Sequence, residues 1–200
     1  MSPRRHPGHE PGTRETTRQE PSMIIQMAGL PATGKSTLAD HLSRELNALV
    51  LDKDRIRHAL FGPGHITYTR DQDDTCVTMM LQAAQFALTT ALCTTVIMDG
   101  RTCLRRYQVD QIRQFATQAG QALTFIECVC ATTTARRRLD RDHEHGTHLA
   151  ANRDYTLYRH LRATAEPIPD PKLRICTDEP LADCLAQCRD HLSGLLTPAR

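Results

Sequence analysis

Residues 29–37 read Gly-Leu-Pro-Ala-Thr-Gly-Lys-Ser-Thr, directly after the apolar run Met23-Ile24-Ile25-Gln26-Met27-Ala28. The spacing G-x-x-x-x-G-K-[ST], set between a strand-like run and a helical pattern, describes a loop built to wrap phosphate. Gly29 and Gly34 let the backbone turn tightly, and Leu30, Pro31, Ala32 and Thr33 form the loop between them, which cradles phosphate oxygens. A helix opening at Lys35, Ser36 and Thr37 adds free N–H groups and a positive dipole end. In such a loop Lys35 reaches the outer phosphates of a nucleotide, and Ser36 offers its hydroxyl to a metal. ATP and Mg²⁺ are the expected cofactors.

Beyond the loop, Leu38, Leu42 and Leu46 mark one face of a helix ending near Asn47. Ala48 to Leu51 reads as a buried strand with Asp52 at its carboxyl end. Residues 58–75 read as polar and turn-rich, broken by Gly62-Pro63-Gly64. A long amphipathic helix is expected from Cys76, then a buried strand over 95–98 that ends at Asp99-Gly100. A helix from about Leu104, with Val109, Ile112, Phe115 and Ala119 inward, should stop at Gly120. Residues 122–129 read as a strand, 131–142 as a basic helix, 143–153 as polar, and 154–165 as helical. A short strand over 173–176 and a last helix carrying Leu181, Leu185, Cys188 and Leu192 complete the chain. Strands alternating with helices predict an α/β fold: a parallel sheet of about five strands, helices on both faces, and a helical lid over about 137–153.

Two hundred residues suit one domain over residues 23–200, with the Pro-rich and apolar-poor residues 1–22 expected to be a disordered tail. That tail has no apolar centre of the kind a secretory signal needs. A net charge of +2 announces neither a nucleic-acid nor a membrane partner, and no apolar run reaches membrane-spanning length. The eight cysteines show no C-x-x-C pair or zinc-type spacing, so most of them read as small buried hydrophobes of a cytoplasmic protein. Oligomeric state leaves no mark in the sequence.

Two further segments carry chemistry. Leu51-Asp52-Lys53-Asp54-Arg55-Ile56-Arg57 follows the second strand, where a doubly wound sheet presents its ligand. Asp54 and Arg57 lie one helical turn apart, so a carboxylate able to accept a hydroxyl proton stands beside a guanidinium able to hold the acceptor or a phosphate. Ala135-Arg136-Arg137-Arg138-Leu139-Asp140-Arg141 is the second. Arg137 and Arg141 project together, with Arg141 the first candidate to meet the transferring phosphate and Arg137 the second. Asp99 is the expected metal-side carboxylate, and Arg101 is a candidate for a substrate phosphate or carboxylate.

With those motifs in view, the chain resembles the P-loop kinases typified by phage polynucleotide 5′-hydroxyl kinase and the zeta-toxin group. It is also similar locally to adenylylsulfate kinases, whose L-D-G-D-N-V-R-H parallels Leu51 to His58, with Lys53 standing in place of Gly. The resemblance implies a P-loop NTPase fold, with Asp54 as general base and Arg57 on the acceptor. The strand ending Met98-Asp99-Gly100 has no water-activating Glu, and no Asn-Lys-x-Asp guanine reader occurs. Both absences favour transfer to an acceptor other than water. The expected activity is ATP-dependent phosphorylation of a hydroxyl on a small metabolite, nucleotide or nucleotide sugar. A polynucleotide 5′-hydroxyl acceptor is the alternative, disfavoured because Arg and Lys are interspersed with Asp and Glu. A nucleotide-binding regulator without turnover is the rival of another class, and the intact Lys35, Ser36, Asp54 and Asp99 argue against it.

Overall fold

The strand that feeds the phosphate loop, β1 (Met23–Ala28), is buried at all six positions. The computed structural model explains this by placing it in the middle of a five-stranded sheet of order β2-β3-β1-β4-β5. The structure describes residues 22–145, 150 and 153–196. Residues 1–21 of the expected tail, and residues 146–149 and 151–152 of the expected lid, lie outside the described residues.

All strand pairs are parallel, so both faces must be covered by the crossover helices. Because side chains alternate along a strand, β1 sends Met23, Ile25 and Met27 to one face and Ile24 and Ala28 to the other. On the first face lie α1 (Lys35–Leu46) and α7 (Leu181–Leu196), through Leu38, Leu42, Cys184, Cys188 and Leu192. Across the sheet, α3 (Arg70–Thr89) and α4 (Arg106–Ala119) bring Val77, Met80, Ala84, Val109 and Ile112. The strands β4 (Ala122–Val129) and β5 (Leu173–Cys176) have the expected bounds.

Several local expectations need correction. β2 (Leu49–Asp52) is only partly buried, with Leu51 its one buried residue, because it forms the sheet edge beside β3 (Thr95–Asp99). The stretch 58–75 is largely helical: α2 (Lys53–Phe61) runs into it, a 3-10 turn spans Pro63–His65, and α3 begins at Arg70. Polar residues hide that start, yet they are what makes it. Thr69 caps the helix by accepting from the Gln72 amide, and Asp71 and Asp73 sit in its first turn, where the helix dipole favours negative charge. In α4 the helix starts at Arg106, and Ala116 is buried where Phe115 and Ala119 are only partly so. The basic helix α5 (Thr132–His145) runs three residues past its expected end, and α6 (Tyr155–Thr164) is capped by Asp154. Among the described residues no helix is long and apolar enough to cross a membrane.

Candidate active site

The carboxyl ends of β1, β2 and β3 open into a cavity of about 950 Å³. Its floor is the phosphate loop. Gly29 has φ +120°, and a Cβ there would lie 2.3 Å from the Cys128 carbonyl oxygen, so only glycine fits. Lys35 is buried, and its Nζ donates to the carbonyls of Gly29 (2.9 Å) and Leu30 (2.7 Å), so the loop curls around the ammonium. Burial holds the Lys35 pKa below that of an ordinary lysine, with Asp99 opposing the shift.

The loop is braced from behind. Thr177, just past β5, donates its hydroxyl to the Thr33 carbonyl at 2.8 Å. Arg138 of α5 donates to the Ala32 carbonyl (3.1 Å), the Thr177 hydroxyl (3.1 Å) and the Thr177 carbonyl (2.8 Å). Of the three consecutive arginines, Arg138 is thus the one that braces the loop. Thr177 had no sequence signal, since its contact with the loop spans 144 residues.

β2 and β3 end in register with Asp52 opposite Asp99. Asp52 caps α2, accepting from the Asp54 and Arg55 amides at 2.7 and 3.0 Å. Burial pushes its carboxyl up, against those two hydrogen bonds. Asp99 is buried, with Oδ1 lacking any hydrogen-bond partner. Gly100, at φ +86°, lets this strand end approach α2: a Cβ would lie 2.8 Å from Lys53 Cβ.

On α2 the expected pair is formed. Arg57 binds both Asp54, one turn earlier, and Asp73 of α3. Asp73 also accepts from Lys53 Nζ at 2.8 Å. The Arg57 guanidinium lies 5.1 Å from the ring centre of Tyr68, a cation–π distance. Arg101 is buried and paired with Asp74 at 3.0 Å, while Tyr107 is flanked by Arg101 and Arg70 at 5.7 and 5.5 Å.

The cavity brings together Pro31, Ala32, Gly34, Lys35, Ser36, Thr37, Asp54, Arg57, Arg137 and Arg141 on its wall. Gly29, Leu30, Thr33, Asp99 and Arg101 of the expected set are not on that wall; Arg101 sits behind it, between Gly100 and Thr102, which are. Arg137 and Arg141 are exposed. Sequence reasoning missed Lys53, Asp73, Gln108 and Arg153, all on the wall. Arg153 pairs with Asp142 at 3.8 Å, and burial lowers its pKa against the pull of Asp142, Asp54 and Asp99. A single arginine outside the basic helix carries no periodic signal, which is why it escaped notice.

Residues 24–167 match the family model described as AAA domain, and the chain belongs to that family. No curated protein matches it by sequence. Among solved structures it resembles a candidate kinase from Chloroflexus aurantiacus J-10-fl, with TM-score 0.69, 21% identity, and coverage of 89% of this chain and 99% of that one. The APS kinase of Mycobacterium tuberculosis, in complex with AMPPNP and APS, gives TM-score 0.64 and 18% identity over 86% and 98% of the chains. A gluconokinase from Sinorhizobium meliloti 1021 gives 0.62 and 16% over 90% and 95%. The fold is that of the P-loop kinases.

Proposed function

We propose that this member of the family is an ATP-dependent kinase of the cytoplasm, transferring the γ-phosphate to an alcohol hydroxyl of a small metabolite, nucleotide or nucleotide sugar. The observation that carries the reading is the placement of Asp54. It shares one cavity wall with Lys35 and is paired with Arg57, which holds its carboxylate in place one helical turn away. All eight cysteines are free thiols, which suits a reducing compartment.

In this reading the loop backbone and Lys35 hold the phosphates. Lys35 exchanges its two carbonyl partners for phosphate oxygens, and the charge appearing on the outer oxygens meets an ammonium already desolvated. Asp54 accepts the proton as the acceptor oxygen attacks the phosphorus, and the bond to the β–γ bridging oxygen breaks. Arg57 orients Asp54, and Arg141 and Arg137 supply positive charge from the lid side.

The residues present also fit Mg²⁺. Among the described residues no cluster of three or more His, Cys, Asp or Glu forms a metal cage, and Mg²⁺ is usually held by one or two protein oxygens plus phosphates. The orphaned Asp99 oxygen and the exposed Ser36 hydroxyl are such hard donors. Ser36 and Asp99 would hold the ion or its waters, and its chemistry is to neutralise phosphate charge.

The test is transfer from labelled ATP across a panel of alcohols, with products identified by mass. A phosphorylated alcohol is expected. Release of inorganic phosphate with water as the sole acceptor would overturn the reading.

A further inference from the structure

We infer that the acceptor is an uncharged, hydroxyl-rich molecule (a polyol, sugar or nucleoside) and not a phosphorylated or carboxylated one; this rests on the kinase reading above. The two ends of the cavity treat their cations differently. At the nucleotide end, Lys35 donates only to backbone carbonyls, and Arg137 and Arg141 form no ion pair with any described residue. Among the described residues no carboxylate locks those charges, as an anion site requires.

At the acceptor end every cation is neutralised. Lys53 is paired with Asp73, Arg57 with Asp54 and Asp73, and Arg101 with Asp74. The carboxylates also stand in front. The side chains of Asp54 and Asp73 are 16% and 36% exposed, against 2% for Arg57 and 11% for Lys53. An entering phosphate or carboxylate would therefore meet like charge before it met a guanidinium, and displacing Asp73 would strand the buried Lys53 and leave Arg57 with Asp54 alone. The other cations nearby do not alter this balance. Arg70 is exposed and off the wall, and Arg153 is paired with Asp142.

Hydrogen-bond chemistry points the same way independently. Asp54 and Asp73 present only acceptor oxygens, and Gln108 adds a neutral amide to the same wall, so the group they suit is a hydroxyl, which donates; an ionised phosphate cannot. The Tyr68 ring adds an apolar face to the same wall.

The test compares matched acceptors with ATP and Mg²⁺: glucose against glucose 6-phosphate, sorbitol against gluconate, and adenosine against AMP, with a 5′-hydroxyl oligonucleotide as the polyanion. The neutral member of each reactive pair should show kcat/KM at least about tenfold higher, the scale set by one like charge at close range. Preference for the anionic members would overturn the inference and leave the kinase reading intact. Transfer to no member of either class would overturn the kinase reading and take the inference with it. Asp73→Asn should narrow the neutral-to-anion ratio, and an unchanged ratio contradicts its electrostatic basis. Gln108→Leu keeps the test open if Asp73→Asn does not fold. It should raise KM for the neutral acceptor several-fold with ATP affinity unchanged, by loss of one hydrogen bond, and an unchanged KM would overturn the role given to Gln108.

Discussion

In the proposed reading, the nucleotide end and the acceptor end of one cavity are built from the same residue types and solve opposite problems. At the nucleotide end the positive charges are held by neutral partners: Lys35 by two carbonyls, Arg138 by carbonyls and a hydroxyl. At the acceptor end they are locked to carboxylates across helices, with Asp73 of α3 clamping both Lys53 and Arg57 of α2. A charge meant for a ligand must be positioned without being neutralised, whereas a charge meant to orient a base or join two helices is worth more when paired. Substituting an arginine should therefore hurt function at one end and stability at the other.

The largest effect breaks the nucleotide end. Lys35→Ala removes the charge proposed to meet the γ-phosphate, and the barrier to transfer should rise by roughly 3–4 kcal/mol, the scale of losing an oxyanion donor. Single-turnover transfer measures it, and near-normal transfer by a folded variant would end the account of that site. Next comes a contrast in stability. Arg57→Met leaves Asp54 and Asp73 facing each other without their shared cation and should cost about 3 kcal/mol, the low end for breaking a buried pair because Asp73 remains partly solvated. Arg137→Ala, at an exposed site without an ion pair to any described residue, should stay within about 0.5 kcal/mol. Urea unfolding of both variants decides it, and equal losses would erase the distinction between the ends.

A smaller effect is expected at Gly100. Gly100→Ala imposes a side chain at φ +86° and pushes on Lys53, so it should cost about 1–3 kcal/mol and raise the acceptor KM more than the ATP KM. The smallest effect is a pH slope. Unfolded, Lys35 titrates at its ordinary value near 10.5; folded, burial holds it lower. Between those two values the unfolded chain binds more protons, so the nucleotide-free protein gains stability as pH rises there. ATP affinity, which uses the charged ammonium, should fall over the same window. Lys35→Met should flatten the stability slope relative to the wild-type protein in denaturant titrations across alkaline pH.

What the sequence made legible was whatever is local. Gly29 to Thr37 is one contiguous motif, and Asp54 and Arg57 are three residues apart on one helix. β4, β5 and α7 follow from β-rich runs and a four-residue apolar spacing. What stayed hidden is held by contacts across the chain. Asp73 reaches Arg57 over 16 residues and Lys53 over 20, and Arg138 reaches Ala32 over 106. The start of α3 was missed because capping and acidic residues there imitate a loop. Arg101 illustrates the limit of position as a guide: the end of β3 is where a ligand contact belongs, but its side chain turns behind the wall to Asp74.

The most direct test of the division between the two ends is a paired measurement on Asp54→Asn, which keeps the shape of the side chain and removes most of its basicity. Calorimetry gives the affinity for ATP with Mg²⁺, and single-turnover kinetics on the same preparation gives the rate of transfer. ATP affinity should be unchanged while transfer falls by roughly 10²–10⁴-fold, the usual contribution of a positioned general base. Unchanged transfer would mean that Asp54 only orders α2, and would contradict the account.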